Sequence, residues 1–347
     1  MSRSGVLSCA ILFAAACRGE PDTSSDVWPD VLISEFDTVV SANMEAVGEI
    51  ADLEVGSDGR LWIADDGNQQ LVVLDPASGQ MRAFGREGEG PGDVRRPVAI
   101  AVAGPNVLVL EAGNSRVQYF TPQGETVGQF TLGTFVMSPA TLNVRGDVAM
   151  PTLGHDSSLV AIFTDSGRTR LARGSPVVPP PTVMRISALR EQVLRGEVPV
   201  EFRNNVLPAL GPEGEVWLIL QAEGEVQHFD PTGTLLWRHQ LPDSVVSTAR
   251  TSYLNEAAAE TDPTRIHVPQ VVSAARLEGE ELWLMLASGE SRRSGLLILN
   301  SVTGAIRARI RVDVFGAGQF AVDRKNARLY IALAAEGIVI AADLPDR

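Results

Sequence analysis

The chain has 347 residues, of which 44% are hydrophobic, which is enough for the core of one large domain or two ordinary ones. The formal net charge of −14 and the pI of about 4.8 predict an acidic surface. Such a surface repels nucleic acids and anionic headgroups, so neither is expected as a partner.

The first 17 residues are predicted to be a targeting segment. Arg3 provides a short positive region, and Gly5 to Ala16 form an apolar run that is too short to cross a bilayer. The run ends in FAAAC, which resembles a bacterial lipobox and implies lipidation of Cys17. An ordinary secretory signal with a chance cysteine is the alternative. If Cys17 is lipidated and Cys9 is removed with the signal, no thiol remains to form a disulfide.

Arg18, rather than an aspartate, follows the cysteine of the lipobox-like segment. The resemblance therefore implies an extracytoplasmic, lipid-anchored protein, on the outer membrane and facing the periplasm if the host has two membranes. Residues 18–30 are polar, contain two prolines and are predicted to be a flexible tether. No other segment is apolar enough to be a transmembrane helix, so membrane contact is expected through the lipid anchor only.

A repeated pattern organises residues 31–347. The stretch GRLWIADDGNQQLVVLDPASGQ (59–80) aligns with PNVLVLEAGNSRVQYFTPQGET (105–126), and the pattern returns at 146–169, 214–235, 280–306 and 327–345. Each copy has short apolar strands separated by turns, several of them an Asp-Pro pair followed by glycine. Four short antiparallel strands in each copy are the signature of a propeller blade.

Six copies are predicted, near 48–86, 96–132, 138–173, 204–241, 270–312 and 316–346. The last copy lacks an outer strand, and the unassigned run from Val31 to Val40 supplies one. This N-terminal strand is therefore expected to complete the last blade and remove the open sheet edge. The predicted fold is an all-β, six-bladed propeller of four-stranded antiparallel blades, and a monomer is expected.

Two motifs carry a family resemblance. The pattern D/E-x-x-N-x-(Q/R)-(L/V), at Asp65 and again at Glu111, resembles the NHL repeat. The stretch GREGEGPGDVRRP, from Gly85 to Pro97, resembles a connector of bacterial six-bladed propellers with NHL-like repeats. Such propellers include receptors, scaffolds, lactonases and lyases, so the resemblance implies the fold more than the function.

Several repeated side chains have a structural and a functional interpretation. The pairs Asp65–Asn68 and Glu111–Asn114 fit turn residues that bond local backbone, and metal ligation is the alternative. The tryptophans of one equivalent strand position are predicted to wedge between blades, with a carbohydrate-stacking face as the alternative. These tryptophans are Trp62, Trp217 and Trp283.

The predicted innermost strands offer few groups for catalysis. In enzymatic six-bladed propellers these strands gather carboxylates, amides or histidines around a central metal, whereas here they offer little beyond Asp52 and Asn143. The histidines have no zinc-ligand spacing, and His228 and His239 are expected to be surface or inter-blade residues. No cofactor is predicted, and Ca²⁺ on the propeller axis is expected only if the protein is an enzyme.

Two long insertions, 174–204 and 242–270, interrupt the repeat and contain helical stripes. Both leave an outer strand and enter the next inner strand, so they are expected to cap one mouth of the propeller. The alternative is that they plug the channel with apolar side chains. The stripes are Val183, Ile186, Leu189 and Val193, and then Val246, Ala249, Tyr253 and Ala257.

Basic and amide residues precede the inner strands on the same face and suggest an anion pocket at the channel mouth. The alternative is that each arginine pairs with a nearby acid such as Glu201. The candidate residues are Arg95, Arg96, Arg185, Arg203, Asn204, Arg265 and His267.

The sequence favours a non-catalytic module that binds through the insertion-bearing face. An envelope protein, a peptide or a small anionic ligand is the expected partner. The alternative is a periplasmic hydrolase or lyase, lactonase-like, with its site at the same mouth.

Overall fold

The structure is a computed structural model that describes residues 28–41, 47–164, 166–180, 184–287 and 293–345. The predicted signal peptide, Cys17 and most of the predicted tether lie outside these residues. Among the described helices, none is both long and apolar enough to cross a membrane.

Six β-sheets form the ring, and each contributes four antiparallel strands, which confirms the predicted propeller. Each inner strand contacts the inner strands of the neighbouring blades, and the sixth contacts the first. The strands of blades one to three are Ile50–Val55, Leu61–Asp65, Gln70–Asp75 and Gln80–Phe84; Pro97–Ala103, Asn106–Glu111, Arg116–Phe120 and Thr126–Thr131; and Thr141–Leu142, Val148–Pro151, Val160–Thr164 and Thr169–Arg173.

Blades four and five continue the same order. Their strands are Val206–Leu210, Val216–Leu220, Glu225–Phe229 and Leu235–Gln240; and Val272–Glu278, Glu281–Leu286, Gly295–Asn300 and Ile306–Val312. Blade six contains Ala317–Asp323, Arg328–Leu333 and Ile338–Asp343 from the C-terminal end of the chain and Asp37–Val40 from its N-terminal part.

The N-terminal run closes the ring, but not as one strand over residues 31–40. Asp37–Val40 pairs antiparallel with Ile338–Asp343 and completes blade six. The preceding strand, Asp30–Ile33, instead pairs in parallel with Ile306–Val312 and adds a fifth strand to blade five. A straight strand of ten residues is longer than these blades, whose strands have at most seven residues, so the run is divided between two of them.

The interfaces between blades form the core. Trp62, Trp217 and Trp283 are each at most 2% exposed, and each packs in a cluster that combines two neighbouring blades. The ring centroids of Trp283 and Phe320, in blades five and six, are 6.5 Å apart, for example. The wedge interpretation is confirmed, and the carbohydrate-stacking interpretation of these three residues is wrong.

The connectors from each outer strand to the next inner strand all lie on one face, because successive strands alternate in direction. We call this the connector face, and the face with the turns between first and second strands the turn face. Two helices lie in connectors, α1 (Ile186–Leu194) and α2 (Asp243–Ala259). Their side chains meet in a cluster of Leu189, Val193, Phe202 and Tyr253.

Helix α2 packs on blades four and five rather than into the channel. Val245 and Ala249 join Leu241 and Val271 in the hydrophobic cluster between these blades. Arg190 of α1 donates to the backbone oxygen of Asp262 beyond α2, at 3.2 Å, which ties the two insertions together. Neither helix contributes a described side chain to the channel lining, so α1 and α2 do not plug it.

Candidate functional site

One arginine dominates the central channel. Arg276 lies on the inner strand of blade five, and its guanidinium hydrogen-bonds the carboxylates of Asp52 and Glu54 in blade one. It also donates to the backbone oxygen of Leu53, and its Nε donates to the backbone oxygen of Phe320 in blade six at 2.7 Å. The side chains of Arg276 and Asp52 are only 14% and 12% exposed, so this ion pair is shielded from water.

Asp52 connects this cluster to blade two as well. Its carboxylate accepts the backbone N–H groups of Leu53 and Ile100, each at 2.9 Å. Ile100 lies on the inner strand of blade two, so the Asp52 carboxylate holds two inner strands in register. The hydrogen-bonding capacity of the pair is therefore largely used within the protein.

Arg276 lies between two small chambers of the channel. The chamber towards the connector face has a volume of about 260 Å³ and is lined by Asp52, Thr141, Ser273 and Gln319, among others. The chamber towards the turn face has a volume of about 180 Å³ and is lined by Glu54, Asn143 and Glu278, among others. Both are smaller than typical drug-sized pockets, so each suits a small polar molecule or one side chain of a partner.

Glu278 is a carboxyl group of the chamber towards the turn face, and its pKa is shifted upwards. Burial raises its pKa to about 7, and the negative charge of Glu54 acts in the same direction. The positive charges of Arg276 and Arg324 oppose this shift only in part. A carboxyl group of this kind exchanges its proton near neutral pH.

Asn143, a polar group expected in the channel, has a structural role. Its Nδ2 donates to Asp147 at 3.1 Å and to the backbone oxygen of Gly211 at 2.9 Å. Its Oδ1 accepts the backbone N–H groups of Arg145 and Asp147. These bonds close the first turn of blade three and join it to blade four.

The repeated Asp/Glu and Asn side chains are turn residues. Asp65 is fully buried and accepts the N–H groups of Gly48 and Asn68. Glu111 accepts the N–H of Arg95, Asn114 Nδ2 at 2.7 Å and Arg116 Nε at 2.8 Å. Within the described parts of the chain, no three His, Cys, Asp or Glu side chains gather as a metal site.

The predicted basic residues between blades one and two differ in their contacts, because Arg95 forms an ion pair through its side chain and Arg96 is bonded through its backbone. Arg95 pairs with Glu89 at 2.9 Å. Arg96 has a left-handed backbone, with φ of 50°, and its backbone N–H donates to Gln69 Oε1 at 2.6 Å. Because this backbone conformation lies outside the β region, the extended strand of blade two begins only after Arg96.

The predicted residues of the insertions lie further round the ring. Arg203 pairs with Glu223 at 2.6 Å, and Asn204 is fully buried. Arg265 and His267 share the carboxylate of Glu260, at 3.7 and 3.0 Å.

Arg185 is exposed and immediately precedes α1. Glu201, named above as a nearby acid, accepts a hydrogen bond from Gln192 instead. Of these described candidates, none lines either chamber, and only Arg265 and His267 share a partner. The anion pocket stays a prediction.

Exposed apolar side chains are concentrated in the connectors. Phe135 is 87% exposed and Leu194 is 74% exposed, whereas turns of the turn face expose Val144 and Val302. Because all the connectors lie on one face, the side chains exposed in them are on the same face of the propeller, and exposed apolar surface is a common feature of interaction sites. The large apolar side chains exposed in the connectors are Phe135, Met137, Met184, Leu194, Val200, Ile266, Val268 and Phe315.

Two polar groups of the channel were not singled out by the sequence pattern. Arg276 and Glu278 stand in the sequence VVSAARLE, whose small apolar residues resemble those of the other inner strands. The sequence indicates this cluster only when two inner strands are considered together, because the arginine lies on one of them and the carboxylates lie on another.

No protein-family model matches the chain. Among solved structures, a streptogramin B lyase is 13% identical, with 89% of this chain and 97% of that chain covered and a TM-score of 0.47. Virginiamycin B lyase from Staphylococcus aureus is 11% identical over 90% and 89% of the two chains, with a TM-score of 0.46. The RRP9 WD40 repeats are 10% identical over 90% and 98%, with a TM-score of 0.50. At such identities the likeness concerns the propeller fold alone.

Proposed function

We propose that the protein is an extracytoplasmic, lipid-anchored propeller that binds an envelope protein or peptide through its connector face, without catalysis. The observation that carries this proposal is the concentration of exposed apolar side chains in the connectors, with Phe135 and Leu194 the most exposed of them. Burial of such side chains against a partner removes apolar surface from water and stabilises a complex.

The state of the channel supports a binding role. Arg276, Asp52 and Asn143 are hydrogen-bonded to other groups of the propeller, and these bonds hold inner strands together. The rim of the connector face carries arginines such as Arg96 and Arg185, and arginine is favoured at protein interfaces. Small anionic ligands and acidic peptides are compatible with the same rim.

Site-specific photocrosslinking tests the proposal. A benzoylphenylalanine introduced at Leu194 or Phe135 in producing cells is expected to form a covalent adduct with a defined envelope protein. The same group at Val302, which is 65% exposed on the turn face, is the matched control and is expected to form none. Equal adducts at all three positions, or none at any, contradict a partner on the connector face.

The anchor is tested separately. Cys17→Ala is expected to prevent incorporation of labelled palmitate and to move the protein from the membrane fraction to the soluble extracytoplasmic fraction. Retention of the label in Cys17→Ala contradicts the lipidation, whereas the crosslinks at Leu194 report on the binding face alone.

A hydrolase or lyase is the second candidate, because Glu278 has a pKa of about 7 and lines a chamber. A carboxyl group with this pKa suits proton transfer at neutral pH. Its chamber opens towards the turn face, whereas the sequence pattern placed an enzymatic site at the other mouth. Turnover of a lactone and ester panel that is lost in Glu278→Gln, with crosslinking at Leu194 absent, favours this candidate over the first.

A further inference from the structure

A second cavity lies outside the channel, between the outer parts of blades three and four. This interblade groove has a volume of about 660 Å³, within the range of small-molecule sites. One side is the outer hairpin of blade four, formed by Glu225–Phe229 and Leu235–Gln240. The other side is blade three, with Ser158, Arg173 and the connector residues 174–177.

The blade-four side presents a small sheet of planar polar side chains. Glu225 lies opposite Gln240, and Gln227 lies opposite Arg238, so the four side chains share one face. Gln227 Nε2 donates to Glu225 Oε1 at 2.7 Å, which leaves the Gln227 carbonyl oxygen as an acceptor for the groove. The pair Phe229 and Leu235 gives the groove an apolar end.

The blade-three side contains polar atoms without partners. Ser158 is 2% exposed, and its Oγ has no hydrogen-bond partner. The Nε of Arg173 is also buried without a partner, although its other nitrogens donate to the backbone oxygens of Ala172 and Pro231 at 2.9 and 2.8 Å. Buried polar groups are normally paired, so these atoms indicate a missing hydrogen-bonding group.

Asn204 fixes this side of the groove. Its Oδ1 accepts the backbone N–H groups of Val177 and Val178 at 2.8 and 3.2 Å, and its Nδ2 donates to the backbone oxygen of Val178 at 2.8 Å. The groove is therefore formed before a ligand arrives, which lowers the entropic cost of binding.

The charges around the groove select against simple ions. An anion meets the carboxylates of Glu223 and Glu225, and a cation meets the guanidinium groups of Arg173 and Arg238. A neutral molecule whose groups both donate and accept hydrogen bonds satisfies both sets. A sugar hydroxyl is such a group, and the C–H face of a sugar ring suits the apolar end at Phe229.

We propose that the interblade groove binds a neutral saccharide. Its hydroxyls pair with Ser158, Arg173, Gln227 and Arg238, and the apolar end contacts the ring C–H groups. This site lies outside the channel, and the connector residues 174–177 form part of its wall.

Calorimetric titration of the full-length protein with maltohexaose, cellohexaose, xylohexaose and chitohexaose tests the proposal. At least one probe is expected to bind, and Arg238→Ala is expected to weaken that binding about tenfold, because hydrogen bonds to a charged group are lost. Arg82→Ala, which removes an exposed arginine from the outer strand of blade one, is the matched control and is expected to leave binding unchanged.

Ser158→Ala tests whether the Ser158 hydroxyl binds the ligand or stabilises the fold. Because Ser158 Oγ has no partner in the free protein, its removal is expected to leave the melting temperature unchanged or higher. The saccharide affinity is expected to fall several-fold in the same variant.

Three results overturn the saccharide assignment. One is that none of the four hexasaccharides binds, and another is that Arg238→Ala leaves their binding unchanged. The third is that a charged dipeptide, Gly-Glu or Gly-Lys, binds in an Arg238-dependent way while the hexasaccharides do not.

Discussion

Arg276 of blade five hydrogen-bonds Asp52 of blade one, although blade six lies between these two blades in the ring. The Nε of the same arginine donates to the backbone oxygen of Phe320 in blade six. Blade six is the blade that the N-terminal strand Asp37–Val40 completes. One side chain therefore joins the three blades around the closure of the ring.

Removal of this arginine is expected to be costly. Arg276→Met leaves the shielded carboxylates of Asp52 and Glu54 without their cation, and we expect the free energy of unfolding to fall by about 3–5 kcal/mol. Urea unfolding followed by circular dichroism measures the change. Arg86→Met is the control, because Arg86 is 84% exposed in its pair with Asp93 and surface pairs contribute about 1 kcal/mol or less. Equal losses in both variants contradict a special role for Arg276.

Glu278 is expected to make stability fall as pH rises. Its pKa is raised to about 7 by burial, so the folded state binds its proton more tightly than the unfolded chain does. Its contribution is complete below the ordinary pKa near 4.5 and is lost as the pH rises through 7. Glu278→Gln removes this dependence, and we expect its stability relative to the wild type to increase by at most about 3 kcal/mol between pH 5 and pH 8.

Urea unfolding at intervals between pH 5 and pH 8 measures this effect. Glu280→Gln, in the adjacent turn and 80% exposed, is the matched control for the charge change. Parallel pH profiles of the wild type and Glu278→Gln contradict the expected protonation of Glu278.

Shortening of the chain separates the roles of the two N-terminal strands. A variant that begins at Glu35 lacks Asp30–Ile33 and loses the burial of Ile33, so we expect a melting temperature lower by several degrees. A variant that begins at Ser41 also lacks Asp37–Val40 and exposes the edge of Ile338–Asp343, so we expect it to associate or aggregate. Size-exclusion chromatography measures the association of each variant, and calorimetry measures its melting temperature. If the variant that begins at Ser41 is monomeric and has an unchanged melting temperature, closure of the ring by Asp37–Val40 is contradicted.

The fold could be predicted because its information is local and repeated. The Asp65 and Glu111 turns recur at equivalent positions, and the wedge tryptophans recur at one strand register. The division of residues 30–40 between two blades could not be read in this way, because it depends on the length of the neighbouring strands.

The channel cluster was hidden because its members are distant in sequence. Arg276 lies 224 residues from Asp52 and 222 residues from Glu54, and nothing local to either strand indicates that they meet. The interblade groove is hidden for another reason. It depends on how far two blades separate near Ser158 and Arg238, and a repeat pattern treats all blades as equivalent.

The parallel pairing of Asp30–Ile33 sets the side from which the N-terminal part of the chain enters the propeller. This strand runs in the same direction as Ile306–Val312, which leads from the turn face to the connector face. Trp28 and Pro29 therefore come from the turn-face side. A lipid at Cys17, as proposed above, would hold the propeller through a tether that joins it on the side opposite the connectors. The point of attachment then lies away from Phe135 and Leu194, so the tether itself leaves the connector face free for a partner.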